Sequence, residues 1–268
     1  MTDWYLGTMG FGYADWSGVF YPPGALSRSY LGIYSRYFNS VEMDTTFYGT
    51  PRGNVIHSWV ASTPGDFRIS AKTPRTITHE RALVGALDLM LEYLSAMNEL
   101  GEKLGVVLLQ FPPSFIASRF NTLQTFLSEL RTDRQAQDIR LAVEFRHASW
   151  YTEERATSAM LSDYGVCWAA TEFPGLPIDI HPTTDFLYIR WIGQHGSYQI
   201  HDRERVDRTV QLQQWWRLLQ PYLDRVESIY GYFNNDYAGH APATCNKFKA
   251  VAGLPYKHPE VPKQPRLF

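Results

Sequence analysis

Short apolar runs that each end in a polar or charged residue recur along this chain. Val41 leads to Glu42, residues 67–71 to Lys72, and residues 106–109 to Gln110. Farther on, residues 139–143 lead to Glu144 and Arg146, residues 186–189 to Arg190, and residues 229–233 to Asn234 and Asn235. Runs this short and this uniformly apolar fit strands covered on both faces, as in a parallel sheet. Between most of them the apolar positions change to a helical period, as in Tyr30, Ile33, Tyr34, Tyr37 and Phe38, or Leu87, Met90, Leu91, Leu94 and Met97. Alternating units of this kind predict an α/β fold, and eight of them predict a TIM-type (β/α)8 barrel. In such a barrel the strand C-termini meet at one face, where ligands bind.

The predicted strands cover residues 4–9, 40–45, an apolar run ending at 72, 105–111, 139–145, 166–171, 186–192 and 229–233. Helices are expected over about residues 28–38 and 51–62, with Pro51 in the first turn, and through the stripe ending at Met97. Others carry Phe120, Leu123, Leu127 and Leu130, then residues 152–164 behind a Thr152 cap, then Leu212, Trp215, Leu219 and Tyr222. A last helix starts near Pro242. The stretch 172–185 holds three prolines and no helical period, so the sixth helix is expected to be missing or reduced.

The 268 residues suit one barrel domain, residues 1–253, close to the ~250 typical of that fold. Residues 254–268 read as a Pro- and Lys-rich tail outside it. A net charge of −2 gives no global field for nucleic acid or an anionic membrane, though a local basic patch would not show in it. Cys167 and Cys245 lack any CxxC spacing and read as two small buried thiols in a reducing compartment. Residues 1–3 run straight into the first strand, so no signal peptide is expected, and no apolar run approaches the ~20 residues of a membrane span. The expected location is the cytoplasm.

Strand-end groups supply the candidate chemistry. Glu42 and Glu144 can serve as general base, general acid or metal ligand at a barrel mouth, with ion pairing to Lys72 or Arg146 as the competing reading. Asp44 competes with Glu42, because successive side chains on a strand face opposite ways. Lys72 can hold an anion, or form a Schiff base if desolvation lowers its pKa. Arg146 and Arg190 offer planar forks to a phosphate or carboxylate, or else pair with Glu144 or Glu172. His79, His147, His195, His201 and His240 all fall in predicted strand-end loops without a metal-binding spacing, so no metal or organic cofactor is expected. The region around Arg190, Gly193, Asn234, Asn235 and Gly239 to Pro242 reads as an anion site at a helix N-terminus, or as a plain helix cap. The loop bearing Phe11, Tyr13, Trp16, Phe20 and Tyr21 either stacks on a ligand or packs onto the barrel.

These residues together resemble the YecE-like proteins, the family of domain of unknown function 72. The matching pieces are Gly7-Thr8 with Gly10, Asp15-Trp16 with Gly18, Phe20-Tyr21-Pro22, Phe38-Asn39 with Val41-Glu42, and Thr46-Phe47-Tyr48. Lys72 with Pro74, Ile77-Thr78-His79, Gln110 with Pro112-Pro113-Ser114-Phe115, and Glu144 with Arg146 and Ser149-Trp150 continue the set. Arg190 with Gly193, and Phe233-Asn234-Asn235 with Gly239 and Ala241, complete it. Met9, Phe11 and Asp44 depart from the family pattern, where Ser, Trp and Asn are usual. The resemblance implies a TIM-type barrel with its site at the strand C-termini. It implies no particular reaction.

The candidate catalytic set is therefore Glu42, Lys72, Glu144 and Arg146. The ligand- or anion-binding set is Thr8, Tyr48, His79, Gln110, Arg190, Asn234, Asn235 and His240. The expected activity is that of an enzyme on a small polar, phosphorylated or sugar-like ligand. A nucleic-acid-processing or repair-associated hydrolase and a non-catalytic ligand-binding module are the alternatives. Gln264, Leu267 and Phe268 resemble the short peptides that dock on the bacterial sliding clamp, a peptide-in-groove mode.

Overall fold

The computed structural model describes residues 2–260 of the protein. Gln264, Leu267 and Phe268, and with them the clamp-docking expectation, lie outside the described residues. Strands β1 (Asp3–Thr8), β2 (Ser40–Met43), β3 (Arg68–Lys72), β4 (Leu104–Gln110) and β5 (Leu141–Glu144) come first. Then follow β6 (Val166–Trp168), β7 (Ala170–Glu172), β8 (Phe186–Trp191) and β9 (Ser228–Phe233). They form two parallel sheets, ordered β1-β9-β8-β7 and β2-β3-β4-β5-β6. Each uncovered edge of one sheet comes up against the other. β6 and β7 are one predicted strand interrupted at Ala169, its first half pairing with β5 and its second with β8. At the other seam Met9 and Glu42 form a parallel bridge, and the Gly10 N–H donates to the Glu42 carbonyl at 2.8 Å.

Side chains explain why the strands assemble. On the face away from solvent, Val106, Leu108, Ala142, Cys167, Ala169, Tyr188, Tyr230 and Tyr232 form one buried cluster. The Tyr232 hydroxyl reaches Ser40 Oγ (2.6 Å) and Ser70 Oγ (2.8 Å), and Ser70 Oγ accepts from the Val106 N–H at 3.0 Å, tying β9 to β2, β3 and β4. Buried hydroxyls paired in this way avoid the desolvation cost of orphaned polar groups.

The opposite face packs on helices α1 (Tyr30–Tyr34), α2 (Gly53–Ala61), α3 (Leu87–Asn98) and α4 (Phe120–Thr132), with a turn, α5 (Arg134–Gln137), after them. Beyond β5 come α6 (Ser149–Thr152) and α7 (Glu154–Asp163), and beyond β8 come α8 (Thr209–Leu219), α9 (Asn235–Ala238) and α10 (Ala241–Val251). The stripe read from the sequence in α3 is the buried one, with Met90, Leu94 and Met97 inside. Trp16, Trp150, Trp168, Trp191 and Trp215 are fully buried in this layer, on the order of 3 kcal/mol of hydrophobic stabilisation each. No helix forms between β7 and β8, as the prolines there require.

Three local expectations are corrected. Thr152 closes the short α6 and does not cap α7, which starts at Glu154. Pro51 precedes α2, whose N-cap is Arg52. Helix one shrinks to a 3-10 turn, Ser27–Ser29, and the five residues of α1. The aromatic loop packs inward, with Trp16, Phe20 and Tyr21 buried and Tyr21 stacked on Tyr30 at 4.0 Å. No described helix is long and apolar enough to cross a membrane.

Candidate functional site

Parallel strands deliver their last side chains to one end of the sheets, and there the charges gather. Alternation along β8 puts Tyr188 and Arg190 on the same face as Glu42 of β2 and Glu144 of β5. Arg190 donates from Nε to Glu42 Oε2 (2.9 Å), from Nη2 to Glu42 Oε1 (2.8 Å), and from Nη1 to Glu144 Oε2. The Tyr188 hydroxyl donates to Glu42 Oε2 at 2.6 Å, and Arg146 Nε donates to Glu144 Oε1. Both carboxylates are fully buried, with side-chain exposures of 0%. Two negative and two positive groups thus form a line of alternating charge, Glu42–Arg190–Glu144–Arg146. Burial pushes the Glu144 carboxyl up, but Arg146 and Arg190 outweigh it and hold it at about 2. Burial lowers the Arg190 guanidinium, yet Glu144 and Glu42 raise it above its ordinary value. Glu144 and Arg190 both stay ionised across the physiological range.

Lys72, at the end of β3, is the remaining cation. Its backbone carbonyl accepts from Thr46 Oγ1 (2.7 Å) and from the Tyr93 hydroxyl (3.1 Å), which fixes where the side chain leaves the strand. Nζ lies 3.7 Å from the Phe47 ring centroid, and among the described residues no carboxylate oxygen comes within 4.0 Å of it. Burial and the charge of Arg190 bring the amine down to about 8, against the pull of Glu144 and Glu42. On the same Phe47 ring, His79 stands edge-on at 4.8 Å. It sits in a π-turn, Thr76–Glu80, followed by Ala82 and Leu83 at positive φ (46° and 70°). Non-glycine residues adopt that conformation at a cost, and π-turns recur at functional sites. Burial, with the charges of Lys72, Arg75 and Arg146, lowers His79 to about 4, so its imidazole is neutral at pH 7.

The opposite rim is acidic. Asp44 is pushed above the usual carboxylate range by burial and by Glu42. Asp15 and Asp236 flank His201, with Asp15 Oδ2 3.6 Å from Nδ1 and Asp236 Oδ1 3.8 Å from Nε2. Asn234 bridges toward the charged chain, its Nδ2 3.6 Å from the Met9 sulfur, while Met9 also takes Arg190 Nη2 at 3.4 Å.

Several expected ligand groups are committed elsewhere. Arg190 is not a free fork, because every guanidinium nitrogen already has a partner. It pairs with Glu42 as well as Glu144, and Glu172 instead accepts from Trp215 and Tyr237. Thr8 turns its hydroxyl to the Gly10 carbonyl (2.6 Å) and to Tyr34 (3.0 Å) and does not reach the charged chain. Asn234 caps α9 by accepting from Asp236 N–H (2.8 Å), and Asn235 accepts from Ala241 N–H (2.9 Å). Both side chains act at helix starts, Asn234 at α9 and Asn235 at the first residue of α10. Gln110 is buried and donates to its neighbour's carbonyl, Tyr48 is 80% exposed, and His240 lies buried edge-on to Trp16 at 5.9 Å. Phe47 and Tyr188 complete the site beyond the candidate residues drawn from the sequence, and Asp44, read there as the competitor of Glu42, lies at the same end. Tyr188 had a legible signal, being two positions before Arg190 on one strand.

Among the described residues, one trio places a potential metal ligand atom from each member within 4.8 Å of the others: Glu154, Asp179 and His181. It lies on the flank beside Trp168, on which His181 stacks at 4.1 Å. A recess of about 830 Å³ opens at the other end of the strands, beside Arg131, Arg140 and Asp185. Arg131 there is spent on the backbone carbonyls of Ala136, Ile139, Tyr164 and Gly165, a structural duty.

Residues 5–267 match the family described as "Protein of unknown function DUF72". The UPF0759 protein YecE of Escherichia coli (strain K12) is 30% identical over 217 residues, covering 72% of this chain and 77% of that protein. This chain belongs to the DUF72 family. The UPF0759 protein YunF of Bacillus subtilis is 27% identical over 98% of this chain and 99% of its own length. Among solved structures, a DUF72 family protein from Thermotoga maritima superposes with a TM-score of 0.77 at 30% identity, covering 94% of this chain and 99% of that one. A second, from Enterococcus faecalis, gives 0.75 at 22% identity over 97% and 99%. Both likenesses extend over nearly the whole chain.

Proposed function

We propose that this protein is an enzyme acting on a small anionic ligand, phosphorylated or sugar-like, held at the C-terminal ends of the strands of a closed (β/α)8 barrel. Closure is supported by the split strand β6/β7, which belongs to both sheets, and by the Met9–Glu42 bridge at the other seam. The observation that carries the ligand class is how the strand-end cations are paired. Arg190 and Arg146 are matched by Glu42 and Glu144, and Lys72 is left without a carboxylate in ion-pair range. An unmatched cation in a partly desolvated site favours an anion.

The buried carboxylates are the frame of this site. Proton transfer falls to Lys72, neutral His79 and Asp44, whose surroundings move the amine down and the carboxyl up toward neutrality, where acid–base catalysis is efficient. A polynucleotide would have to cross the rim of Asp15, Asp44 and Asp236, which disfavours the nucleic-acid reading.

Calorimetric titration with inorganic phosphate tests the proposal. Binding is expected for the wild type, and Lys72→Met should weaken it about tenfold or more, the worth of one charge-assisted hydrogen bond. Affinity should hold below pH about 8 and decline above it as Lys72 loses its proton. A bound anion favours the protonated amine, so the midpoint should move upward at saturating phosphate. Equal affinity for wild type and Lys72→Met would refute the assignment. Phosphate binding without turnover of any phosphorylated or sugar-like compound would favour the binding-module alternative.

A further inference from the structure

We infer that Lys72 is a nucleophilic amine, placed to form an imine with the carbonyl carbon of an anionic aldehyde or ketone such as an open-chain sugar phosphate or an oxo acid. This rests on the anion-binding reading above and names the substrate class it serves. Geometry sets Lys72 apart from a structural lysine. Lys103 Nζ, for comparison, donates to the Val60 carbonyl (2.7 Å), the Thr63 carbonyl (2.6 Å) and Thr63 Oγ1 (3.0 Å). Lys72 Nζ rests on the face of Phe47 with no hydrogen-bond acceptor among the described residues, so its nitrogen lone pair is uncommitted once the proton leaves.

Its backbone is pinned on the carbonyl side by Thr46 and Tyr93, which fixes where the side chain leaves β3, and the Phe47 ring supports the amine at its far end. Beside it, Arg146 uses Nε on Glu144 and stacks its guanidinium 4.1 Å from the Phe173 centroid. Its two terminal nitrogens make no hydrogen bond among the described residues and are available to an anionic group. The charged and titratable groups acting on Lys72 are Glu42 and Asp44 from the β2 end, His79 from the following turn, Glu144 and Arg146 from the β5 end, and Arg190 from β8. The lowered pKa of the amine, about 8, adds to this geometry by freeing a far larger fraction of it at pH 7 than an ordinary lysine offers.

The step balances without an oxidant or reductant. The neutral amine attacks the carbonyl carbon, a C–N bond forms, and the carbonyl π pair passes to oxygen, which takes a proton. The carbinolamine then loses its hydroxyl as water after a second protonation, and the nitrogen gives up one proton to leave the protonated imine. His79, neutral and against the same aromatic ring, is the carrier for these protons.

Pyridoxal 5′-phosphate, which joins an aldehyde to a phosphate, is the probe. The full-length protein would be incubated with it, reduced with borohydride, and mapped by mass spectrometry. One adduct at Lys72 is expected, formed at least about tenfold faster than at the average lysine, with the rate rising from pH 6 to about 8. Excess inorganic phosphate should suppress it. Lys72→Arg should lose the adduct while keeping the wild-type melting temperature, so that the loss is not one of folding. Labelling spread evenly over surface lysines, unchanged in Lys72→Arg, would overturn the inference. Phosphate binding that depends on Lys72, with nothing trapped there, would overturn the imine and leave the anion site standing. Trapping of Lys72 by phosphate-free pyridoxal as readily as by the phosphorylated form would support the amine and sink the anion reading.

Discussion

Arg190→Met is expected to destabilise the protein by about 3–5 kcal/mol, because it strands two buried carboxylates without their shared cation. For a chain of this size that corresponds to a fall in melting temperature of about 6–20 °C. The effect should carry a pH signature. In the wild type, Glu144 is held at about 2, below its ordinary 4.5. A carboxylate with a depressed folded pKa contributes stability that is present above the unfolded value and lost as pH falls through the folded one. Wild-type stability should therefore drop by about 3 kcal/mol on acidification from about pH 5 to below 2.

In Arg190→Met, Glu42 keeps the Tyr188 hydroxyl but loses every cation that touches it. A buried carboxylate left without a partner cation is strongly destabilising. Adding Glu42→Gln should recover part of the loss at pH 7. Urea unfolding of the three proteins between pH 4.5 and 8 is the measurement. A single variant within about 0.5 kcal/mol of wild type at pH 7 would show that the chain of charges does not hold the strands together.

The location of this chain was legible in the sequence, and its wiring was not. An apolar run ending in a charge signals a strand end, and parallel strands deliver such ends to one face. Glu42, Lys72, Glu144 and Arg190 could each be found that way. Which charge takes which partner depends on contacts between positions far apart in the sequence, such as Glu42 and Arg190, and no local pattern encodes them. The same limit explains Thr8, whose hydroxyl is claimed by Tyr34 from α1, and Asn234 and Asn235, which became caps because the chain turns into helix at once. Phe47 gave no charge signal, yet it is the surface on which Lys72 and His79 meet. The missing helix after β7 was readable because proline acts locally. The break at Ala169 was not, since it answers to the two strands on either side.

The seam between β1 and β2 depends on one residue having no side chain. A Cβ on Gly7 would lie 1.9 Å from the Ser40 carbonyl oxygen, 2.9 Å from the carbonyl carbon and 2.6 Å from the Tyr34 hydroxyl. The first two are backbone atoms of a buried strand and cannot rotate away. The third belongs to the hydroxyl that joins the two strands, accepting from Thr8 N–H at 2.8 Å and donating to the Ser40 carbonyl at 3.0 Å. Gly7→Ala must therefore push β1 from β2, break the Tyr34 bridge and pull on the Gly10–Glu42 backbone bond just beyond. The expected destabilisation is about 3 kcal/mol or more, at the upper end for overpacked cores. Gly12→Ala is the control, since a Cβ there meets nothing within 4 Å. It should stay within about 0.5 kcal/mol of wild type. Because the seam ends at Glu42, Gly7→Ala should also weaken phosphate binding, whereas Gly12→Ala should not. Urea midpoints, or soluble yield where Gly7→Ala fails to fold, decide the matter. Indistinguishable midpoints for the two variants would mean that β1 and β2 do not need this close approach, and the reading of the two sheets as one closed barrel would lose its main support at that seam.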